Sequence, residues 1–228
     1  MSAVPNGSLS LAARLYLLSW DTERMTVVGA AHLALLVRAG ALAELAQRGM
    51  LTEDDGAVRP IGDNRTGDLP LDKLLELIEE SRPRRWQRWL TFHSAYTLDA
   101  VRTQLTAAGY LRKRRRRVLG IFPSAHYELD RVDVVKSMRE DARTVLAGPA
   151  AVAEISDQDA ALVALAAAAE LRTLANSRER ALHKARIAAL AERSGAAAPA
   201  LKTIIREMRA AMILEATPAT ATGATGGS

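Results

Sequence analysis

Six consecutive basic residues, Arg112, Lys113, Arg114, Arg115, Arg116 and Arg117, stand between "GYL" and the apolar run "VLGIF". A guanidinium donates paired, charge-assisted hydrogen bonds to phosphate or carboxylate oxygens, a fork that lysine cannot reproduce. Six adjacent like charges also repel one another, and an anionic partner relieves that repulsion. Beside an anionic bilayer each basic residue contributes about 1 kcal/mol. On DNA the same charges would release counterions and make binding steeply salt-dependent. A solvated hairpin turn with no partner is the third reading.

A second basic group lies in "SRPRRWQRWL". On a helix, Trp86, Trp89, Leu90 and His93 share one face, and Arg84, Arg85 and Arg88 fall on another. Either the tryptophans are core and the arginines surface, or the three arginines grip a phosphate. Beyond the basic run, strand alternation leaves some of Val118, Leu119, Ile121 and Phe122 on an outer face. Exposed apolar groups beside positive charge suit bilayer insertion or self-association.

Catalytic chemistry finds little support. His32, His93, His126 and His183 are scattered without metal-ligand spacing, and cysteine is absent. There is no G-x-S-x-G elbow, phosphate-binding glycine loop or H-E-x-x-H. The aspartate of "TGD", Thr66 to Asp68, reads as a helix cap. The expectation is a protein that is not an enzyme and holds no metal or cofactor.

Helices must position these groups. Of the 228 residues 49% are apolar and only 4% aromatic, with alanine and leucine dominant. These are strong helix formers, so the fold class expected is mainly α: one helical domain, residues 9–214, with short β-hairpins, one of them projecting and basic. A flexible start (1–8) and a disordered, low-complexity tail (215–228) flank it. Helices are predicted over 9–20, 29–49, 133–146, 157–175, 177–193 and 200–214. Two more follow Pro83, and "TGDLPLDKLLELIEESRP" is a further helix, capped by Asp68 with Leu71, Leu74, Leu75 and Ile78 inward. "DTERMTVV" is a short strand pair, and "MLTEDDGAVRPI" a hairpin turning at Asp54, Asp55 and Gly56. "LAELAQRGMLTEDDGAV" and "VRTQLTAAGYLRKRRRRV" echo each other as a helix running into a hairpin.

The formal charge of +5 favours anionic partners. The richness in alanine and arginine fits a GC-rich, bacterial genome. The longest apolar run, Ala160 to Ala169, is about half the roughly 20 residues that cross a bilayer. With no secretory signal either, the chain is expected to be soluble and cytoplasmic, touching membranes only peripherally.

Along "VRAGALAELAQRGML", "TGDLPLDKLLELIEESRP", "WQRWL" and "GYLRKRRRRVLGIFPSAHYEL", in that order and spacing, the chain resembles the Golgi phosphoprotein 3 family. These are peripheral membrane adaptors known also in actinobacteria. The resemblance implies a helical domain with a projecting hairpin, here "LRKRRRRVLGIFP", that supports membrane contact and oligomer formation. It also implies binding of phosphatidylinositol 4-phosphate on the cytosolic face of a membrane, and of cytosolic tails of membrane proteins. Arg38 occupies the position of one pocket arginine. Gly29 stands at the pocket tryptophan, and Ala95 and Leu98 at the other two arginines, so Arg84, Arg85 and Arg88 are expected to join Arg38 around a headgroup.

The alternative is a winged helix. "TLDAVRTQLTAAGYLRKRRRRVLGIF" would place a recognition helix, with Arg102, Gln104 and two threonines as base readers, before a basic wing.

Overall fold

From Leu35 to Leu45 every residue of helix α2 (Leu33–Gln47) is buried. A helix apolar on all sides belongs in the middle of a core. In the computed structural model, which describes residues 9–62, 65–118, 122–197 and 199–216, α1 (Leu11–Leu18), α5 (Ser94–Ala107), α7 (Asp157–Ala168) and α10 (Ala200–Ala216) pack around α2. The expected flexible start, residues 217–228 of the expected tail, Leu119 and Ile121 lie outside the described residues.

The α1–α2 crossing is close because Gly40 has no side chain. A Cβ there would lie 2.6 Å from Leu15 Cδ1 and 3.2 Å from the Ala12 Cα. Alanine-rich α7 approaches closely for the same reason, with Ala160 to Ala168 all buried.

Helix α3 (Leu69–Glu80) starts where the sequence places it. Asp68 accepts the Leu71 N–H at 3.2 Å, Pro70 sits in the first turn, and Leu71, Leu74, Leu75 and Ile78 are buried. Helix α4 (Trp86–Thr91) follows, and α6 (Val132–Ala147), α8 (Ser177–Leu182) and α9 (Lys184–Ala197) complete the helices described. The mainly α fold class holds. Strands occur only as three antiparallel pairs among the described residues: β1 (Trp20–Asp21) with β2 (Thr26–Val27), β3 (Leu51–Asp54) with β4 (Ala57–Pro60), and β5 (Leu111–Val118) with β6 (Phe122–Leu129).

The internal echo is a repeated piece of backbone. After α2, Gly49 (φ 68°) donates to the Ala46 carbonyl at 3.0 Å and Met50 to that of Leu45 at 2.9 Å. After α5, Gly109 (φ 73°) donates to Thr106 at 3.1 Å and Tyr110 to Leu105 at 2.8 Å. Both are Schellman ends, in which a left-handed glycine satisfies the last helix carbonyls. Each releases the chain into a hairpin whose returning strand closes on the same residue: Ile61 N–H onto the Met50 carbonyl, Asp130 N–H onto that of Tyr110, each at 2.9 Å.

Two helices differ from expectation. The one predicted over 157–175 stops at Ala168, because Glu170 turns left-handed (φ 54°) and Leu171 donates back to the Ala166 carbonyl. That turn lets Leu171 and Leu174 bury against the core. The one predicted over 177–193 divides at His183 into α8 and α9.

Gly40→Ala should lower the unfolding free energy by about 1–3 kcal/mol, since the new methyl presses Leu15 and the Ala12 backbone. The check is a fall in the urea midpoint at unchanged slope. An unmoved midpoint would mean the crossing has slack.

Candidate functional site

Helix α2 buries two charged side chains, and they are treated differently. Glu44 is satisfied: it accepts the Leu11 N–H at the start of α1 at 2.6 Å, and Arg48 at 2.5 Å. Arg38 is not. It is 0% exposed and donates one hydrogen bond, from Nη2 to the His93 carbonyl at 2.6 Å. Its Nε and Nη1 have no partner among the described residues, and no carboxylate pairs with it there. Burial pushes its pKa down from the usual arginine range to about 10, so it stays charged at neutral pH.

A buried guanidinium with two idle donors is an anion-binding group in waiting. The neighbouring backbone points the same way. His93 is left-handed (φ 51°) and begins α5 without a side-chain cap or an acid in the first turn. The free N–H groups there carry partial positive charge. Together Arg38 as floor, α3 and α5 as walls, make a groove of about 370 Å³. Lys73, Glu76 and Glu80 line one wall, and Tyr96, Asp99 and Thr103 the other.

Of the four arginines expected to share a headgroup pocket, only Arg38 lines this groove. Arg84 is held elsewhere. Its guanidinium lies 4.0 Å from the Phe92 ring centroid, and its carbonyl accepts the Val58 N–H at 2.8 Å. Arg85 is exposed. Arg88, also exposed, lines a separate cleft with Ala211 and Leu214 of α10. Trp86 and Trp89 are core, and the Trp86 indole donates to Glu53 at 2.7 Å. The fold does bring Arg38 to the turn that carries Ala95 and Leu98, through its bond to His93.

The basic run forms a strand, which corrects its placement at a turn. Leu111 and Leu129, both buried, pair at the base of the ribbon, and Val118 pairs with Phe122 at the far end. Val118 and Phe122, the described ends of the apolar run, lie on β5 and on β6, Phe122–Leu129. Near the base, Arg112 bridges to Asp130 and Arg114 to Glu128, each at 3.2 Å. Lys113, on the opposite face, approaches the Tyr127 ring at 5.9 Å. Further out, Arg115, Arg116 and Arg117 stand in register with Ala125, Ser124 and Pro123, none of them acidic.

The expected base readers of α5 are used internally. Gln104 donates to Asp68 at 2.7 Å. Thr103 and Thr106 donate to the Asp99 and Arg102 carbonyls at 2.8 and 2.7 Å. Arg102 lies 5.1 Å from the Tyr127 ring and bridges to Asp99 at 3.5 Å. A helix so engaged presents little to a base edge. Among the described residues no group of three or more histidines and carboxylates could hold a metal, and no helix is long and apolar enough to cross a membrane.

The family model described as Golgi phosphoprotein 3 (GPP34) matches residues 11–208, from the first turn of α1 to within α10. No curated protein matches the chain.

Arg38→Met should leave unfolding free energy within about 1 kcal/mol of the parent, or raise it, since an unpaired buried charge is replaced by an apolar stem. Above pH 10 the folded chain gives up this proton while the unfolded chain still holds it, so the penalty from Arg38 is full below pH 10 and fades above it. Glu44→Ala should instead cost about 2–3 kcal/mol, by stripping the α1 N-terminus and leaving Arg48 unpaired. Urea unfolding of both variants checks the contrast, and equal losses would contradict it.

Proposed function

The chain belongs to the Golgi phosphoprotein 3 family, and from that premise we propose that it is a non-enzymatic peripheral adaptor that docks on anionic phospholipid surfaces. The observation that carries this reading is the ribbon β5–β6. Seven residue steps separate its buried base pair from Val118, roughly 23 Å at strand rise. Its described ion pairs, Arg112–Asp130 and Arg114–Glu128, lie toward the base, whereas Arg115 to Arg117 stand in register with the non-acidic Ala125, Ser124 and Pro123. Exposed ion pairs such as Arg112–Asp130 are worth about 0–1 kcal/mol, so lipid phosphates can displace them.

Attraction and recognition are divided between two places. The ribbon supplies long-range charge that is screened by salt, and the groove over Arg38 receives one headgroup. The family likeness suggests phosphatidylinositol 4-phosphate as the lipid, although the carboxylates lining this groove, Glu76, Glu80 and Asp99, stand against a headgroup with two phosphates there. Here Arg38 alone of the pocket's arginine positions supports it. The same likeness places the protein on the cytosolic face of a membrane, holding cytosolic tails of membrane proteins. A two-stranded ribbon has two open edges, which also supports self-association.

Vesicle sedimentation tests the reading. Vesicles containing phosphatidylglycerol should bind the chain in a salt-sensitive manner, and pure phosphatidylcholine should not. Replacing Arg115, Arg116 and Arg117 by serine should lower the partition on the order of 100-fold, at about 1 kcal/mol per residue. Unchanged binding by this variant would remove the ribbon from the membrane contact. A sequence-selective shift of duplex DNA would support the winged-helix alternative instead.

A further inference from the structure

The charges around the groove suit neither a polyanion nor a simple cation. Its floor is Arg38, and Lys73 adds one more positive charge at the mouth. Facing them are three carboxylates, Glu76, Glu80 and Asp99. Glu76 and Glu80 lie four residues apart on α3, are exposed, and make no hydrogen bond or ion pair among the described residues. Asp99 keeps 67% of its side chain exposed despite its long contact with Arg102.

A headgroup with several phosphates would bring its charge against that acidic rim. A lone cation would meet Arg38 and the positive end of α5. A ligand carrying both signs, with the anion deep and the cation outward, matches the groove at each level.

Resting on the reading that the ribbon brings the chain to a phospholipid surface, we propose that this groove binds a phosphate ester bearing a primary ammonium, the chemistry of phosphoethanolamine. The phosphate accepts from the idle Nε and Nη1 of Arg38, and the ammonium lies among Glu76, Glu80 and Asp99. A primary ammonium offers three donors that carboxylates accept. Quaternary ammonium is recognised by aromatic cages, and this groove has one aromatic residue, Tyr96. The volume of about 370 Å³ lies in the range of small-molecule sites. Arg38 is shielded from solvent, so entry requires a lining side chain to swing aside. Tyr96, 65% exposed, would give up its stacking on the His93 ring in doing so.

The phosphoethanolamine group can belong to a lipid or to a soluble metabolite, and two measurements on the full chain separate these sources. In solution, glycerophosphoethanolamine is titrated against glycerophosphoglycerol and ethanolamine, each of which lacks one charge. Saturable binding is expected, about tenfold or more tighter than either control. It should be lost in Arg38→Met and weakened in Glu76→Gln/Glu80→Gln, whose substitutions are exposed and leave the core untouched.

On vesicles, the phosphatidylglycerol fraction is held constant and the remainder is either phosphatidylcholine or phosphatidylethanolamine. The ethanolamine lipid should bind several-fold better, on the order of the charge-assisted bonds gained. Both variants should erase that preference, and Glu76→Gln/Glu80→Gln should retain binding to the phosphatidylglycerol and phosphatidylcholine mixture.

Solution binding without a vesicle preference assigns the groove to a free metabolite, and a vesicle preference erased by the variants assigns it to the lipid. No solution binding together with no preference overturns the proposal. So does a preference that survives both variants, or tighter binding of glycerophosphoglycerol. Loss of all vesicle binding with solution binding intact would refute the ribbon's role and leave the groove standing.

Discussion

The complete burial of α2 sets the terms for the rest of the molecule. A helix packed on every side admits small and apolar residues, and Gly40 lets α1 cross it at near-contact distance. Any charged side chain on such a helix must be neutralised, hydrogen-bonded or left for a ligand. Glu44 takes the first two courses by capping α1 and pairing with Arg48. Arg38 takes neither in full, and its one bond reaches the left-handed residue that begins α5. The same packing that builds the core therefore creates an unspent guanidinium beneath the groove.

The basic ribbon follows a different logic. It is anchored by one buried leucine pair, Leu111 with Leu129, at the end of a helix whose glycine stop repeats the one after α2. The β3–β4 hairpin stays near the body, its Val58 buried and bonded to Arg84. The β5–β6 hairpin is twice as long in each strand and carries arginine where its counterpart carries mixed charge. One supersecondary unit thus serves packing in one copy and surface charge in the other. Electrostatic attraction acts over a Debye length, about 8 Å at physiological salt, whereas hydrogen-bond recognition acts at contact. In the function proposed above, the ribbon acts at the longer range and the groove at contact.

Much of the architecture was readable from local patterns. The capped start of α3, the Asp55–Gly56 turn and the glycine stops at Gly49 and Gly109 all rest on residues adjacent in the chain. Local chemistry decides them. The errors came where tertiary packing overrides propensity. An alanine-rich run gives no reason to stop at Ala168, yet burying Leu171 and Leu174 requires the chain to turn there. Nearness in the chain to the mismatched pocket positions likewise suggested that Arg84, Arg85 and Arg88 would join Arg38. Phe92, an exposed surface and the α10 cleft receive them instead.

The sequence by itself determined the helical class, the basic hairpin and the position of Arg38 on an apolar helix. The spacings 73-76-80 and 96-99-103 even mark two polar helix faces. Only the tertiary structure decided that these two faces meet over Arg38, and that its nearest neighbour would be a carbonyl and not a carboxylate. Helix periodicity states which residues share a face, but not which face it will meet. Pairing of faces depends on crossing angles and on close approaches such as the one at Gly40, which arise between segments far apart in the chain.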